Sequence, residues 1–335
     1  MSNFMVSVII AVYNMEKYLD ECFASLRIQS FKNFEVIIVN DGSTDNSELI
    51  IDKYLAEFPN RIRKICKTNG GLSSARNVGL ACELGKYVTF LDADDYYDKD
   101  YLENLVNKAE RDGLDVVCSG QYKITENGEI LKKISYKMNN GICYQRRLNI
   151  SGKMYRTDYI RRWGISFPEG KTYEDNSFNL QAFFLSTKVG CLEYEGYYQV
   201  VHEGSITSQK IDISKLPLEE WQNTVVKVHQ AHVDGVDIEH FDFIFMSFVT
   251  YFLLIRNRKR EYLPNKEEKS LAENVSELTA YFEEMIISNF AHYKKNRFLN
   301  IFSRSELPIL QKVGTKIFYE FAIRRKLRWL VAIIY

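Results

Sequence analysis

Apolar residues along the first 120 positions follow two alternating rhythms. Val6–Val12, Phe34–Asn40, Ile62–Cys66, Tyr87–Leu91 and Asp115–Ser119 read as strands, Tyr87–Leu91 as a short apolar, buried one. Between them, apolar side chains recur at helical spacing: Tyr18, Leu19, Cys22, Phe23 and Leu26; then Ile50, Ile51, Tyr54, Leu55 and Phe58. Leu72–Leu84 and the face Tyr101, Leu102, Leu105, Val106 and Ala109 continue the pattern. The alternation predicts an α/β fold with a mostly parallel sheet covered by helices on both faces. Asn14 is placed to cap the first helix, and Ser43 or Thr44 the second. Within Gln121–Ser135, Asn127-Gly128 signals a hairpin. From about Leu216 the pattern turns helical, over Glu219–His232, His240–Arg258, Lys266–His292 and Leu310–Trp329. The expected division is 1–212, itself made of halves at about 1–120 and 121–212, followed by a helical region at 213–335.

Composition narrows the function classes. Lys+Arg and Asp+Glu are both 44 among 335 residues, which argues against a dedicated nucleic-acid binder. Aromatics reach 14%, a supply suited to stacking on sugars, although most must serve the core. Cys22, Cys66, Cys82, Cys118, Cys143 and Cys191 form no Cys-x-x-Cys pair and read as reduced, buried thiols of a cytoplasmic protein. No signal peptide is visible after Met1. Phe241–Ile255, the longest apolar run, is interrupted by Asp242 and falls short of a membrane span.

Candidate chemistry gathers where strands end, which is where open α/β sheets bind ligands. Asp92-Ala93-Asp94-Asp95 follows the fourth strand. Like charges held close raise one another's pKa, so the cluster suits an arriving divalent cation held by hard oxygens. In extended chain, Asp92 and Asp94 would face one side and converge; the alternative is a solvated acidic loop. Asp41-Gly42-Ser43 ends the second strand, and Asp41 could accept hydrogen bonds from a nucleobase or simply belong to a capped turn. Asn69–Asn77 is a glycine-bearing loop opening a helix, with free N–H groups and Arg76 placed for phosphate. Glu174-Asp175 lies at a helix start, where the dipole favours acids in any case. His202 is one of five histidines, and such a residue is more often structural than a ligand.

Five of these segments, Val6–Asn14, Val39–Asp45, Gly70–Asn77, Phe90–Asp95 and Glu174-Asp175, resemble glycosyltransferase family 2 in order and spacing. The resemblance covers about residues 5–207 and implies the GT-A fold, a Rossmann-like sheet. It implies that Ala11, Tyr13 and Asp41 hold the base and ribose of a nucleotide-sugar, UDP-linked by expectation. Arg76 would lie near the base or diphosphate. Asp92, with Ala93 beside it, would approach the ribose. Asp94 would bind Mn²⁺ or Mg²⁺, joined by His202, since some relatives carry a histidine in this segment. Asp175 would be the general base of an inverting reaction. The Gln-x-x-Arg-Trp motif is missing, because Arg161-Arg162-Trp163 lacks the Gln and follows no acidic pair. Single sugar addition is therefore expected, onto a surface polysaccharide, capsule or lipid-linked oligosaccharide. A nucleotidyltransferase, or a non-catalytic sugar-binding scaffold, would share the strand-tip acids.

Lys312–Tyr335 mixes Arg324-Arg325-Lys326 and Arg328 with Phe318, Phe321, Trp329 and aliphatics. That mixture marks either an interfacial helix at a membrane surface or a helix packed on its neighbours or on a second copy in a homodimer.

Overall fold

The structure, a computed structural model, describes residues 3–58, 60–136, 147–202, 213–231, 233–256, 271–300 and 309–334. Cys143, and the expected helical stretches at 257–258 and 266–270, lie outside the described residues. The chain divides into two units, Met1–Ser205 and Ile206–Tyr335.

The first unit holds strands β1 (Val6–Val12), β2 (Phe34–Asn40), β3 (Ile62–Cys66), β4 (Tyr87–Phe90), β5 (Tyr96–Tyr97), β6 (Val116–Thr125), β7 (Ile130–Ile134), β8 (Lys153–Arg156) and β9 (Val189–Val201). Helices α1 (Leu19–Arg27), α2 (Ser47–Glu57), α3 (Leu72–Ala81), α4 (Tyr101–Asp112), α5 (Thr157–Arg162) and α6 (Glu174–Phe184) intervene. Among the described residues the strands form one sheet of order β3-β2-β1-β4-β8-β6-β9-β5, with β7 paired to β6. The expected parallel character holds for β3-β2-β1-β4 and for β6-β9. It fails at β8, which runs antiparallel to both β4 and β6 and makes the sheet mixed. β8 runs in the same sense as β7, the returning strand of the β6–β7 hairpin, and so opposes both β6 and β4.

Nearly every position of β1, β2 and β4 is buried. Side chains alternate between faces, so burial of both sets requires cover on both sides. Val8, Ile10, Val36, Ile38, Phe23, Tyr54 and Leu102 belong to one continuous core. Fully burying each such aliphatic or aromatic side chain stabilises by about 1.5–3 kcal/mol. Cys22, Cys118 and Cys191 are buried free thiols as expected, but Cys66 is exposed and Cys82 half-buried. Both lie at element ends, where the apolar run meets solvent.

Two expected helix caps are corrected. Asn14 does not cap α1, whose first residue is Leu19; it adopts φ 54° and its Oδ1 accepts from the Thr44 amide at 2.8 Å. Ser43 and Thr44 do not cap α2, whose first amide, Ser47 N–H, donates to Asp45 Oδ1. Ser43 Oγ instead accepts from the Asn14 amide at 3.1 Å, and Glu16 accepts from Asn46. The capping residues were spent on clasping the β1–α1 and β2–α2 loops together.

The second unit consists of α7 (Leu218–Ala231), α8 (Ile238–Tyr251), α9 (Leu271–Asn289), α10 (Ile309–Ile323) and α11 (Leu327–Ile334), with short 3₁₀ turns and a π-helical turn at Phe252–Arg256. Its core is aromatic: Trp221 meets Phe248 at 5.0 Å, Phe252 at 5.6 Å and Phe282 at 6.0 Å between ring centres. The single helix expected over Leu310–Trp329 is two helices, broken at Arg325 (φ 55°). The Leu327 amide at the start of α11 donates to buried Glu283 at 2.8 Å. Among the described residues, no helix is long and apolar enough to cross a membrane.

Candidate active site

The parallel ladder continues past the strand ends and sets the height of each loop. Asp41 N–H donates to the Val12 carbonyl at 2.8 Å, Lys67 N–H to Asn40 at 3.0 Å and Leu91 N–H to Ile9 at 3.1 Å. The acidic positions thereby emerge side by side at the carboxyl edge of β1, β2 and β4. Ala11 is half-buried there and Tyr13 is exposed.

Asp41 is 2% exposed and already fully engaged. Its Oδ1 accepts from the Gly70 amide at 3.0 Å and from Lys67 Nζ at 2.6 Å, and its Oδ2 from the Gly71 amide at 2.7 Å. Gly71 sits at φ 87°, a conformation open to glycine at no steric cost. Two amide donors of the glycine loop, expected to await phosphate, are thus committed to a carboxylate of this chain.

Arg76 lies one turn into α3. A Cβ at Gly79 would stand 2.6 Å from the Ile9 side chain, so glycine lets α3 press against β1. The Arg76 side chain is 4% exposed, stacked over the Phe167 ring at 5.2 Å, and faces acids. Its Nη2 donates to Asp92 at 2.7 Å, and its Nη1 to Glu174 at 3.0 Å and Asp175 at 2.9 Å. The Arg76 guanidinium is the counterion of three carboxylates. Glu174 and Asp175 form the first turn of α6 after Tyr173, a left-handed residue at φ 61°. The Ile150 amide donates to Asp175 Oδ2 at 2.9 Å and fixes the carboxylate's plane.

One cation does not offset three neighbouring anions in a buried place. Burial and the adjacent Asp175 push Glu174 up, against the pull of Arg76. Burial likewise raises Asp175, opposed by Arg76. Lys153, 1% exposed on β8, adds a second cation whose charge is felt at Asp175. Burial lowers its own pKa to about 8, and its Nζ donates to the carbonyls of Asn149 and Ser151.

Asp92–Asp95 is not extended. The Asp95 amide donates to the Asp92 carbonyl at 3.0 Å, closing a turn that sends the side chains apart. Asp92 goes to Arg76, whereas Asp94 Oδ2 lies 2.8 Å from His202 Nε2. The extended geometry expected here is replaced by a turn in which the two carboxylates take different partners. Ala93 is 3% exposed between them. Asp95 is buried, accepting from the Tyr197 hydroxyl at 2.7 Å and the Val200 amide at 2.9 Å, and so ties the acidic turn to β9. Burial, then the neighbouring aspartates, push Asp95 well above the usual carboxylate range. Burial and Asp92 raise Asp94 as well.

Asp94 and His202 offer an oxygen and a nitrogen donor side by side, with Tyr18 stacked on the imidazole at 4.7 Å. Among the described residues no group of three or more His, Cys, Asp or Glu is placed to hold an ion alone. Mg²⁺ is usually bound by one or two carboxylates and completes its shell with substrate phosphates and water. The donor set fits an ion of that kind.

Sequence reasoning missed Lys153, Tyr197 and the Ile150 amide. Lys153 carried a signal, a lysine opening the buried run Lys153-Met154-Tyr155. Tyr197 and Ile150 carried none, because they act through a hydroxyl and an amide brought close only by folding.

Residues 7–167 match the profile described as Glycosyl transferase family 2. Glycosyltransferase GlyA of Streptococcus pneumoniae serotype 4 is 33% identical over 237 residues, 66% of this chain and 33% of that protein. The poly(ribitol-phosphate) beta-N-acetylglucosaminyltransferase TarS of Staphylococcus aureus (strain MW2) is 31% identical over 203 residues, 57% of this chain and 35% of that protein. The chain thus spans about a third of the length of these two relatives. The crystal structure of S. aureus TarS 1-349 in complex with UDP-GlcNAc superposes with a TM-score of 0.74 at 23% identity, covering 98% of this chain and 91% of that one. The mannosyltransferase PcManGT from Pyrobaculum calidifontis, in complex with GDP-Man and Mn²⁺, gives 0.54 at 16% identity, covering 98% and 88%. The architecture is that of the GT-A glycosyltransferases.

Proposed function

The chain belongs to glycosyl transferase family 2 through residues 7–167, and on that premise we propose that it transfers one sugar from a nucleoside diphosphate, by preference UDP, to a hydroxyl of a surface polysaccharide or polyol-phosphate polymer. The observation that carries the reading is the junction at Arg76. It gathers Asp92, Glu174 and Asp175 from two segments 82 to 83 residues apart at the carboxyl edge of the sheet. The name of GlyA, a glycosyltransferase, supports the reaction class, and that of TarS, a poly(ribitol-phosphate) beta-N-acetylglucosaminyltransferase, supports the polymer acceptor.

In this reading Asp175 is the general base. It takes the proton from the acceptor hydroxyl as that oxygen forms its bond to the anomeric carbon. The bond to the nucleoside diphosphate breaks on the opposite face, and the leaving group departs with the electron pair, inverting the centre. Burial makes Asp175 more basic than a solvated aspartate, which favours proton uptake. Arg76 and the Ile150 amide hold its two oxygens and aim it; Arg76 is thus a positioning residue. Asp94 and His202 would hold Mn²⁺ or Mg²⁺, which when bound would neutralise the diphosphate. Tyr13 and Ala11 line the nucleotide end, and Asp41 keeps the glycine loop in place beside it.

The test is a thermal-shift panel of UDP-, GDP- and dTDP-sugars with Mn²⁺. Binding stabilises by mass action, about 2.7 kcal/mol at a hundredfold excess over the dissociation constant. A shift for at least one donor, lost on chelation, is expected; a flat panel overturns the proposal.

A further inference from the structure

The second unit carries a surface that donor binding and proton transfer do not use. Of the fourteen large apolar side chains exposed among the described residues, seven lie within residues 309–333: Ile309, Leu310, Val313, Ile317, Ile323, Trp329 and Ile333. They are not scattered around their helices. On α10, Leu310, Val313 and Ile317 recur at three- and four-residue steps, and Lys316 and Arg324 fall on the same side. The opposite side, Lys312, Thr315, Phe318, Tyr319 and Ala322, is buried. On α11, Trp329 and Ile333 are exposed one turn apart, whereas Leu327 and Val331 are buried. The Phe321 and Trp329 rings stack at 5.7 Å and join the two helices.

The charge around this apolar face is predominantly positive. Lys316, Arg324, Lys326 and Arg328 are exposed, and Glu320 is the only acid in 309–334. The break between the helices is itself built: Arg325 pairs with Glu284, and Glu283 accepts from the Leu327 amide. The break is therefore held in position while the apolar side chains and Lys316, Lys326 and Arg328 remain exposed; Arg324 pairs with Glu320 one turn away.

We propose that α10 and α11 dock the protein on a bilayer surface rich in anionic lipid, lying in the interface without crossing it. Apolar side chains interleaved with cations, and a tryptophan at the edge, match a headgroup boundary, where aliphatics enter the acyl region and Lys and Arg meet lipid phosphates. Neither helix is long enough to span. A water-facing surface would not carry seven large apolar groups in so short a stretch. A protein partner with an acidic rim, or a second copy, would have to supply the same complement of negative charge and apolar surface; a second copy brings more positive charge, which disfavours it.

The experiment is co-sedimentation of the full chain with vesicles of phosphatidylcholine containing about one third phosphatidylglycerol. Binding is expected, weakened on raising the salt as the cations are screened and lost on pure phosphatidylcholine. A Trp329→Ser, Ile333→Ser variant should bind about tenfold more weakly, as should Lys326→Glu with Arg328→Glu, both keeping the parental circular dichroism and nucleotide-sugar thermal shift. The second variant leaves every apolar group in place, so the two losses separate lipid docking from misfolding. Absence of vesicle binding, binding unaffected by both variants, or a dimer in solution that both variants dissociate would overturn the proposal. The nucleotide-sugar readout is separate, so failure here leaves the transferase reading standing, and the reverse.

Discussion

The two units of this chain manage buried polarity in opposite ways. Met1–Ser205 puts carboxylates at the ends of buried strands and surrounds Arg76 with three of them. Ile206–Tyr335 builds its core from stacked rings around Trp221 and exposes Lys316, Arg324, Lys326 and Arg328 along and between α10 and α11. The first arrangement costs stability, because buried like charges are held together; it is sustained by a fold that is otherwise well packed. The second gains stability from apolar burial and leaves its unusual chemistry on the surface. A cluster that costs stability marks a site, whereas an exposed apolar face marks a partner.

The contrast yields graded predictions. Arg76→Met leaves three half-buried carboxylates without their shared cation and should cost about 3 kcal/mol in urea unfolding. Trp221→Ala should cost a similar ~3–5 kcal/mol through lost packing. The two losses differ in pH dependence. Acidification protonates the orphaned carboxylates, so the Arg76→Met deficit should shrink as pH falls, whereas the Trp221→Ala deficit should stay level. Equal pH dependence would erase the distinction between the units.

Glu174→Gln should have a smaller effect with the opposite sign. The folded-state pKa of Glu174 is raised above its ordinary value of 4.5, so the folded protein holds that proton more tightly than the unfolded chain. Its contribution is present below 4.5 and is lost as pH rises through the raised value. Gln keeps a hydrogen-bond acceptor for Arg76 and removes the charge. The melting temperature at neutral pH should rise by about 2–4 °C, and its decline between mildly acidic and neutral pH should flatten. Scanning calorimetry at several pH values, without metal or nucleotide, checks both effects. Smallest of all, Trp329→Ser, at an exposed position, should change stability by less than about 0.5 kcal/mol.

The pattern of legibility follows the same divide. β1, β2 and β3 begin and end at the residues the sequence pattern indicates; β1 and β2 are legible because strands buried on both faces are nearly all apolar, whereas half-buried β3 carries Arg63 and Lys64 between its apolar ends. The acidic segments were equally visible, since the chemistry demands carboxylates at fixed places along the chain. Side-chain direction was not visible. Asp92 and Asp94 part because one backbone hydrogen bond closes a turn, and Arg76 turns to acids because α6 arrives from 98 residues further on. The reversed entry of β8 and the break at Arg325 were hidden for the same reason: tertiary partners set them, and periodicity carries no record of partners. In the second unit, helical spacing revealed the helices, and the mixture of basic and apolar residues in Lys312–Tyr335 left a membrane surface and a packed neighbour as alternatives.

The division of labour between Asp94 and Asp175 is most directly tested by titration calorimetry of UDP with Mn²⁺, paired with sugar-transfer rates, on the parental protein and on Asp94→Asn and Asp175→Asn. Asp175→Asn should bind the nucleotide at near-parental affinity and lose about 10³-fold in transfer rate. Asp94→Asn should lose the Mn²⁺-dependent part of the affinity. Transfer at the parental rate by Asp175→Asn, or unchanged Mn²⁺-dependent binding by Asp94→Asn, would contradict the assignment.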